Sequence, residues 1–380
     1  AGWCGRGRSG NLAAPIPIPD VYADPRMDAH LRHIVASYKR NRIKIRFYQV
    51  IYCDAGGLEC APERSGMPKA VSLFSGCGGS DAGVIVAGFD VVMANDILPY
   101  AKDVYLANHP ATDYRLGDVS KILTFPDAEL LVGCYPCQGF SQGGLRDPSK
   151  KINTLYLEFA RALSAIKPKA FIVENVSGMV RKNFSHLLAD QLKVFKEAGY
   201  DVKPEVLNAA DFGVAQERRR IFIVGVREDL GVTYTFPTPT HGEGRSQPYV
   251  TIRDAIGDMP EWPEDEFYAR DFHWYYMSRD RRRGWDETSK TIVANPRHMP
   301  LHPMSPRLTK LEHNVWKFET EGRARRFSYR EAARLQGFAR GFVFPDSARG
   351  SLDMRYKVAG NAVPPPLFEA VAKALPNVWD

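Results

Sequence analysis

Short apolar runs alternate with longer amphipathic segments between residues 69 and 227. Continuous apolar runs are typical of strands covered on both faces, and the amphipathic segments have the length and spacing of helices. Strands are predicted over Ala70–Phe74, Asp90–Ala94, Tyr114–Leu116, Glu129–Val132, Ala170–Val173, Val202–Leu207 and Ile221–Val226, with helices notably over Asn153–Ile166 and Asn183–Ala198. This alternation predicts an α/β fold built on a doubly wound, mostly parallel sheet.

The pattern changes on both sides of this region. Residues 1–66 hold a Pro-rich segment and the basic run Lys39–Arg46. We interpret them as a loosely attached basic arm, disordered or a non-native start, because Met67 directly precedes the first strand signal. Residues 230–325 show little periodicity, which predicts a smaller irregular domain. Residues 326–380 contain two helical patterns, SYREAARLQGF and PPPLFEAVAKALP, and are predicted to return to the first domain, residues 67–229.

Charge and composition narrow the class of protein. The 380-residue chain carries a formal net charge of +7, so an anionic partner is expected and nucleic acid is the first candidate. No apolar run approaches the roughly 18 residues that a membrane span needs, and the first residues lack the apolar core of a secretory signal. Six cysteines are too few for a disulfide scaffold. We therefore expect a cytoplasmic protein with reduced thiols and no membrane partner.

The stretch VSLFSGCGGSDAG follows the first predicted strand and opens a helix. This arrangement lets the backbone approach a bound nucleotide closely. Asp81 stands where a dinucleotide fingerprint has its third glycine, so a smaller nucleoside cofactor fits better than a pyrophosphate. Asp96 and Asp118 end the next two strands, where the first could bind ribose hydroxyls and the second an adenine amino group. A plain tight turn is the alternative interpretation.

Two cysteines, Cys134 and Cys137, lie three positions apart in the stretch GCYPCQGFS. A structural zinc site would need a second close pair of ligands, and no cysteine follows Cys137. A redox pair usually opens a helix after a strand, whereas the Gly-rich loop QGFSQGG follows here. The pattern favours a single nucleophile, Cys137, on a mobile loop, with Cys134 packed and no metal. A thiol-redox pair stays open as an alternative.

Five segments, FSGCGG, GCYPCQGFS, ENVSGM, QERRR and GNAVPP, occur in this order between about Ala70 and Val371. In this combination the chain resembles the cytosine-C5 DNA methyltransferase family, of the bacterial modification-methylase type. The resemblance implies a Rossmann-like fold that binds S-adenosylmethionine, with residues 67–229 and 326–380 as catalytic domain and residues 230–325 as target-recognition domain. The implied cofactor contacts are Phe74, Gly76, Gly78, Asp96, Ile97, Asp118, Asn361 and Val363. Asp96 stands where the family usually has Glu.

The resemblance also implies covalent catalysis on a flipped-out cytosine. The thiolate of Cys137 adds to C6, which enables C5 to attack the methyl group of the cofactor. Glu174, at the end of an apolar strand, could donate a proton to N3 if burial raises its pKa, and Arg220 could reach O2. Arg218 shares the motif with Arg220, and Gln216 is expected to order the loop. No base for removing the C5 proton stands out, so water or organised solvent is left for this step.

Basic and aromatic residues concentrate in and after the predicted target-recognition domain. From Phe267 to Arg349 there are 17 Lys or Arg residues against nine Asp or Glu residues. Such a surface suits contacts to DNA phosphates and guanine edges, and a solvated basic surface is the alternative. The predicted DNA-binding residues are Gln138, Ser141, Arg279, Arg281, Arg282, Arg283 and Arg297. Residues 277–303 resemble the corresponding region of enzymes that modify short GC-rich palindromes, and the recognition sequence is left open.

Several alternatives are carried forward. A catalytically silent relative would keep the fold and bind DNA, but the intact P-C-Q, E-N-V and Q-x-R-x-R segments disfavour it. A tRNA-directed member of the family would carry a Cys-Phe-Thr segment that this chain lacks. The expected partner is double-stranded DNA, bound by a monomer associated with the bacterial nucleoid. The enzyme is expected either to accompany a cognate restriction endonuclease or to be an orphan.

Overall fold

The structure is a computed structural model that describes residues 66–136, 154–181 and 184–379. Its largest feature is a seven-stranded sheet. The strands are β1 (Lys69–Leu73), β2 (Asp90–Asp96), β3 (Asp113–Leu116), β4 (Leu130–Gly133), β5 (Ala170–Val176), β6 (Tyr200–Asn208) and β7 (Arg219–Arg227). Each strand predicted from the apolar runs is confirmed, with ends that differ by a few residues.

Helices cover both faces of this sheet. In the described residues they are α1 (Gly79–Val86), α2 (Pro99–Asn108), α3 (Leu155–Ile166), α4 (Ser185–Glu197), α5 (Ile252–Ile256), α6 (Tyr329–Leu335), α7 (Leu352–Asn361) and α8 (Pro365–Lys373). The predicted helices correspond to α3, α4, α6 and α8. Across the same residues, none of these helices has both the length and the apolar character that crossing a membrane requires.

Strand directions explain where side chains gather. The strand order is β3-β2-β1-β4-β5-β7-β6, and only β7 runs antiparallel to its neighbours. The carboxyl ends of β1 to β5 therefore meet at one edge, and β7 begins at the same edge, with Arg220 opposite Val176. The strand order reverses between β1 and β4, where open α/β sheets bind ligands. The prediction of a doubly wound, mostly parallel sheet is confirmed.

Alternate side chains of the central strands enter two cores, one on each face of the sheet. Val132 packs in a cluster with Phe368 of α8, whereas the neighbouring Leu131 packs in a cluster with Phe159 of α3. Because successive strand residues point to opposite faces and both faces are covered, these strands carry near-continuous apolar runs, interrupted by Ser72 in β1 and by Glu174 and Asn175 at the end of β5.

The last helix, α8, packs against the first, α1. A Cβ atom on Gly83 would collide with the backbone of Pro365 and Glu369, so this glycine is needed for the close approach of the two helices. One turn earlier, a Cβ atom on Gly79 would collide with the carbonyl oxygen of Val363. The contact holds the GNAVPP segment beside the glycine turn that follows β1.

Regular structure is sparse between residues 230 and 325. Apart from α5 and short 3-10 turns, the described residues form the hairpin of β8 (Leu308–Glu312) and β9 (Val315–Phe318). Ile252, Ile292 and Met299 share a core with side chains of α6 and α7. The weak periodicity of the sequence agrees with this architecture, and the domain boundaries stay a prediction.

Candidate active site

The glycine turn after β1 leads directly to the carboxylate that ends β2. The backbone amide of Gly76 donates to Asp96 Oδ2 at 3.0 Å, and the amide of Leu98 donates to Asp96 Oδ1 at 2.9 Å. Burial raises the pKa of Asp96, and the two amides oppose that shift because they stabilise the ionised form. The acid is thereby fixed beside the turn, where the sequence predicts ribose contacts.

Backbone conformation shapes the turn itself. Phe74, Gly76 and Gly78 have φ of 59°, 55° and 90°, a left-handed region that side chains disfavour. A Cβ atom on Gly78 would lie 2.9 Å from the ring of His109, whereas one on Gly76 would meet nothing within 4 Å. Gly78 is therefore needed for packing, and the space over Gly76 is open. An open backbone next to a fixed carboxylate fits a nucleoside ligand.

The other predicted cofactor residues differ in exposure. Ile97 is 65% exposed, directly after the Asp96 carboxylate, and could cover one face of a planar base. Asp118 is exposed, and its Oδ1 accepts from the Ser120 amide at 2.9 Å, a bond that lowers the pKa of the carboxyl group. Asn361 is exposed at the end of α7, and Val363 is buried against α1. These residues thus lie at consecutive strand ends or on the segment that covers α1.

Glu174 and Arg220 form an ion pair at the edge where the carboxyl ends of β1 to β5 meet. Arg220 Nε lies 2.9 Å from Glu174 Oε1, and Glu174 is only 7% exposed. Glu174 is paired with Phe222 across β5 and β7, so Arg220 is its diagonal neighbour on the same face. The antiparallel direction of β7 therefore brings this arginine to the acid.

Burial governs the protonation of the pair. It raises the pKa of Glu174, although Arg220 and Arg218 both oppose the shift. It also lowers the pKa of each arginine. Two guanidinium groups therefore share one buried carboxyl group, and the cluster keeps a surplus of positive charge in either protonation state of Glu174.

Arg218 is held by backbone carbonyl groups. Its Nη1 donates to Ile292 O at 3.0 Å and its Nη2 to Ala362 O at 3.1 Å, while both lie 3.4 Å from Gly360 O. The side chain is buried beneath these three acceptors. The guanidinium group of Arg218 thus binds the backbone of two distant segments, and its predicted catalytic role stays a prediction.

The segment that leads to the predicted nucleophile is held beside Glu174. Asn175 Nδ2 donates to Tyr135 O at 3.1 Å, two residues before Cys137. Burial raises the pKa of the Cys134 thiol, which agrees with a packed residue and not with a thiolate. Cys137, Gln138 and Ser141 lie outside the described residues. Sequence reasoning assigns no role to Asn175, although the E-N-V segment contains it.

Two of the arginines predicted to bind DNA, Arg281 and Arg282, donate to backbone carbonyl groups of neighbouring segments. Arg282 donates to the carbonyl groups of Ser305 at 2.9 Å and Pro303 at 2.6 Å. Arg281 donates to His298 O at 3.3 Å and is partly buried. These bonds to backbone acceptors indicate that both guanidinium groups stabilise the fold of residues 276–305.

Of the other three, Arg279 and Arg297 are exposed and therefore better placed for a partner than Arg283. Arg279 is exposed beside the ring of Tyr275, 5.8 Å from its centroid, and Arg283 lies 3.8 and 3.9 Å from two carboxylates. Arg297 is exposed, donates to Tyr268 Oη at 3.1 Å and lines a cavity of about 400 Å³. In the part of the chain that the structure describes, no group of acidic, His and Cys side chains could hold a metal ion.

A glycine turn, acids at successive strand ends and a buried acid–arginine pair define a methyltransferase with a Rossmann-like fold. The C-5 cytosine-specific DNA methylase family model matches residues 68–377. The chain belongs to this family and is a DNA (cytosine-5) methyltransferase.

Similar proteins cover most of the chain. It is 36% identical over 346 residues to the type II methyltransferase M.BsuRI of Bacillus subtilis, across 81% of this chain and 79% of that protein. It is 36% identical over 328 residues to the type II methyltransferase M.NgoPII of Neisseria gonorrhoeae, across 81% and 95%.

Solved structures share the fold at low identity. The methyltransferase EhMeth of Entamoeba histolytica aligns with a TM-score of 0.60 and 15% identity, across 81% of this chain and 97% of that one. A variant of Spodoptera frugiperda DNMT2 aligns with a TM-score of 0.58 and 17% identity, across 81% and 99%. This likeness supports the fold.

Proposed function

We propose that this chain transfers a methyl group from S-adenosylmethionine to C5 of cytosine in a specific short site of duplex DNA. The reaction proceeds through a covalent bond between Cys137 and C6 of a flipped-out base. The single observation that carries this proposal is the buried Glu174–Arg220 ion pair at the end of β5. It stands beside the backbone of Tyr135, which leads to Cys137 and is bound by Asn175.

Three side chains of this chain supply the nucleophile, the proton donor and the charge stabilisation for this reaction. The thiolate of Cys137 adds to C6, and the electron pair displaced from the ring moves toward N3 and O2. Glu174 donates its proton to N3, and Arg220 faces the charge on O2. The positive surplus around Glu174 favours the negative charge that arrives on the ring. After C5 is methylated, solvent takes the C5 proton, the Cys137 sulfur leaves as a thiolate, and N3 returns its proton to Glu174, so that the aromatic ring is restored.

The residues present fit S-adenosylmethionine, which supplies its methyl group as part of a sulfonium. Asp96, already oriented by two backbone amides, is available for the ribose hydroxyls. The exposed side chains of Ile97 and Asp118 are assigned to the adenine, with Phe74 near the turn. Asn361 and Val363 complete the site from the segment packed on α1.

For the DNA, the exposed Arg279 and Arg297 are the stronger candidates for direct contacts. Gln138 and Ser141 follow the nucleophile and are assigned to the target base and its neighbours. The names of the type II relatives support a modification enzyme that selects a short sequence and accompanies a restriction endonuclease.

A mechanism-based trap tests the proposal. Duplex DNA that carries 5-fluorocytosine in the methylated site should form a stable covalent complex with the wild-type chain in the presence of S-adenosylmethionine, because fluorine at C5 blocks the release of the sulfur. Cys137→Ser should form no complex. Cys134→Ser, the matched control, should still be trapped, which also separates this function from a thiol-redox pair.

Denaturing gels and peptide mass spectrometry give the outcome. A bond at Cys137 supports the proposal. Methylation without any trapped species would contradict the covalent route. A wild-type chain that methylates no duplex would overturn the proposed function, and DNA binding by that chain would then indicate a catalytically silent relative.

A further inference from the structure

Four chain segments meet at a buried polar junction next to the catalytic pair. They are residues 215–218, residues 289–292, residues 335–336 and residues 359–362. Gln216, Ser289 and Gln336 are fully buried and Arg218 nearly so. The junction therefore joins the start of β7, the predicted target-recognition domain (residues 230–325, here called the recognition region) and the segment with the predicted cofactor residues Asn361 and Val363.

Each side of the junction is attached by hydrogen bonds. On the recognition side, the Ile292 amide donates to Gln216 Oε1 at 2.9 Å, and Ser289 exchanges backbone hydrogen bonds with Ala215 and Glu217. On the other side, Gln336 Nε2 donates to the carbonyl group of Ala359. Since buried polar groups must find partners, a shift of one segment would leave donors or acceptors of the others unsatisfied.

Arg218 is the only side chain among the described junction residues that binds the recognition segment and the cofactor-side segment directly. Its acceptors are Ile292 O on one side and Gly360 O and Ala362 O on the other. Gly360 and Ala362 flank Asn361, and Ala362 precedes Val363. In addition, a Cβ atom on Gly360 would collide with the backbone of Val293, so the two segments touch without any intervening side chain.

We infer that Arg218 is a positioning residue which couples DNA recognition to cofactor binding. Its planar fork fixes residues 292 and 360–362 at one relative position, so that DNA which orders the recognition segment also orders the cofactor-side segment. By thermodynamic reciprocity, the cofactor then strengthens DNA binding by the same factor. This inference rests on the proposed function and extends it.

The test measures binding of S-adenosylhomocysteine by calorimetry, with and without a duplex that the wild-type chain methylates. The duplex should lower the dissociation constant of the wild type by at least about fivefold. In Arg218→Lys the ratio should fall to near one, because an ammonium keeps the charge near Glu174 but cannot span three carbonyl groups. An unfolded variant would bind neither S-adenosylhomocysteine nor DNA, so a ratio near one in a variant that binds both reports lost coupling and not lost fold.

Arg326→Lys is the matched control. Arg326 is equally buried and donates to the carbonyl groups of Tyr268, Arg270 and Asp271, all within the recognition region. It should keep the coupling even if its DNA affinity falls. If Arg218→Lys does not fold, Gln216→Ala, which loses the bond to Ile292, should show the same loss of coupling.

The outcomes separate the two proposals. Coupling that persists in Arg218→Lys, or that is lost equally in Arg326→Lys, overturns the inference. A wild type that methylates DNA but shows no coupling also overturns it and leaves the proposed function intact. A wild type that binds no S-adenosylhomocysteine contradicts the cofactor assignment itself.

Discussion

At the scale of single residues, Glu174 is subject to opposing effects. Burial favours its neutral form, whereas Arg220 and Arg218 favour its ionised form, and burial prevails. A carboxyl group that keeps its proton above its usual range can act as an acid toward N3, and one that loses it can pair with Arg220. The same pair can therefore serve proton donation and charge stabilisation in turn.

Substitution of Glu174 by Gln should separate these roles. The rate constant for methyl transfer should fall by about 10²- to 10⁴-fold because no proton is donated to N3. In the wild type, the rate should decline as pH rises through the raised pKa of Glu174, since the protonated form is the donor. Single-turnover rates across pH should show that this limb disappears in Glu174→Gln.

Glu205→Gln provides the control, because Glu205 is exposed on β6 and the substitution removes a carboxylate at the surface. Its pH profile should match that of the wild type. A declining limb that survives in Glu174→Gln would assign the titration to another group and remove Glu174 from the donor role.

The sequence identifies Glu174 and Arg220 because both stand at the edges of apolar strands within short motifs. It does not reveal the partners of Arg218 or Arg282, since their acceptors are backbone carbonyl groups. A carbonyl group occurs at every position, so residue types carry no signal for such bonds. The DNA contacts of Arg281 and Arg282 stay a prediction.

Among elements, the contact of α1 with α8 is the tightest constraint on the cofactor side. Gly79 and Gly83 lie on one face of α1 and admit the backbone of residues 363–369. The glycine turn thus leads into the amino end of α1, and the GNAVPP segment packs against one face of the same helix. A change in this packing should act on cofactor affinity and on stability together.

Gly79→Ala tests that link. Overpacking against Val363 should lower the free energy of unfolding by about 1–3 kcal/mol, and should weaken binding of S-adenosylhomocysteine. Gly322→Ala is the control, because its Cβ atom would meet only Pro306 Cγ at 3.3 Å. Thermal unfolding and calorimetry measure both effects, and an unchanged affinity in a destabilised Gly79→Ala would separate the helix contact from the cofactor site.

Prediction of elements succeeded where burial was greatest. The strands β4 and β5 are buried on both faces, and their runs Leu130–Val132 and Ala170–Val173 are apolar, so the sequence predicts both strands. It does not predict the direction of β7, because an apolar run has the same pattern either way. The sequence does not reveal the hairpin of β8 and β9, since most of its side chains are exposed and none is fully buried.

For the whole molecule, the basic residues that give the positive excess between residues 267 and 349 fall into two groups, buried and exposed. Some arginines, such as Arg325 paired with Glu331 at 2.7 Å, are fully buried and hold the region together. Others, such as Arg279 and Arg297, are exposed. Net charge alone thus overstates the number of groups that can meet a phosphate.

Arg279→Ala and Arg282→Ala should therefore behave differently. Arg279→Ala should weaken DNA binding and reduce the slope of log affinity against log salt by about 1, with an unchanged melting temperature. Arg282→Ala should lower the free energy of unfolding by about 1–3 kcal/mol, because two buried carbonyl groups lose their donor. Salt titrations of DNA affinity and thermal unfolding distinguish the two, and equal salt slopes in wild type and Arg279→Ala would exclude this phosphate contact.

The packing of the C-terminal residues on α1 sets an order on biosynthesis. Cys77 Sγ donates to Val358 O at 3.4 Å across 281 positions, and α8 covers α1 from a similar distance along the chain. During translation, α1 therefore stays uncovered by α8 until residues 230–325 have been synthesised. A nascent or prematurely ended chain lacks the segment that completes the proposed cofactor site. The proposed cofactor site can thus be complete only after residues 230–325 have been synthesised.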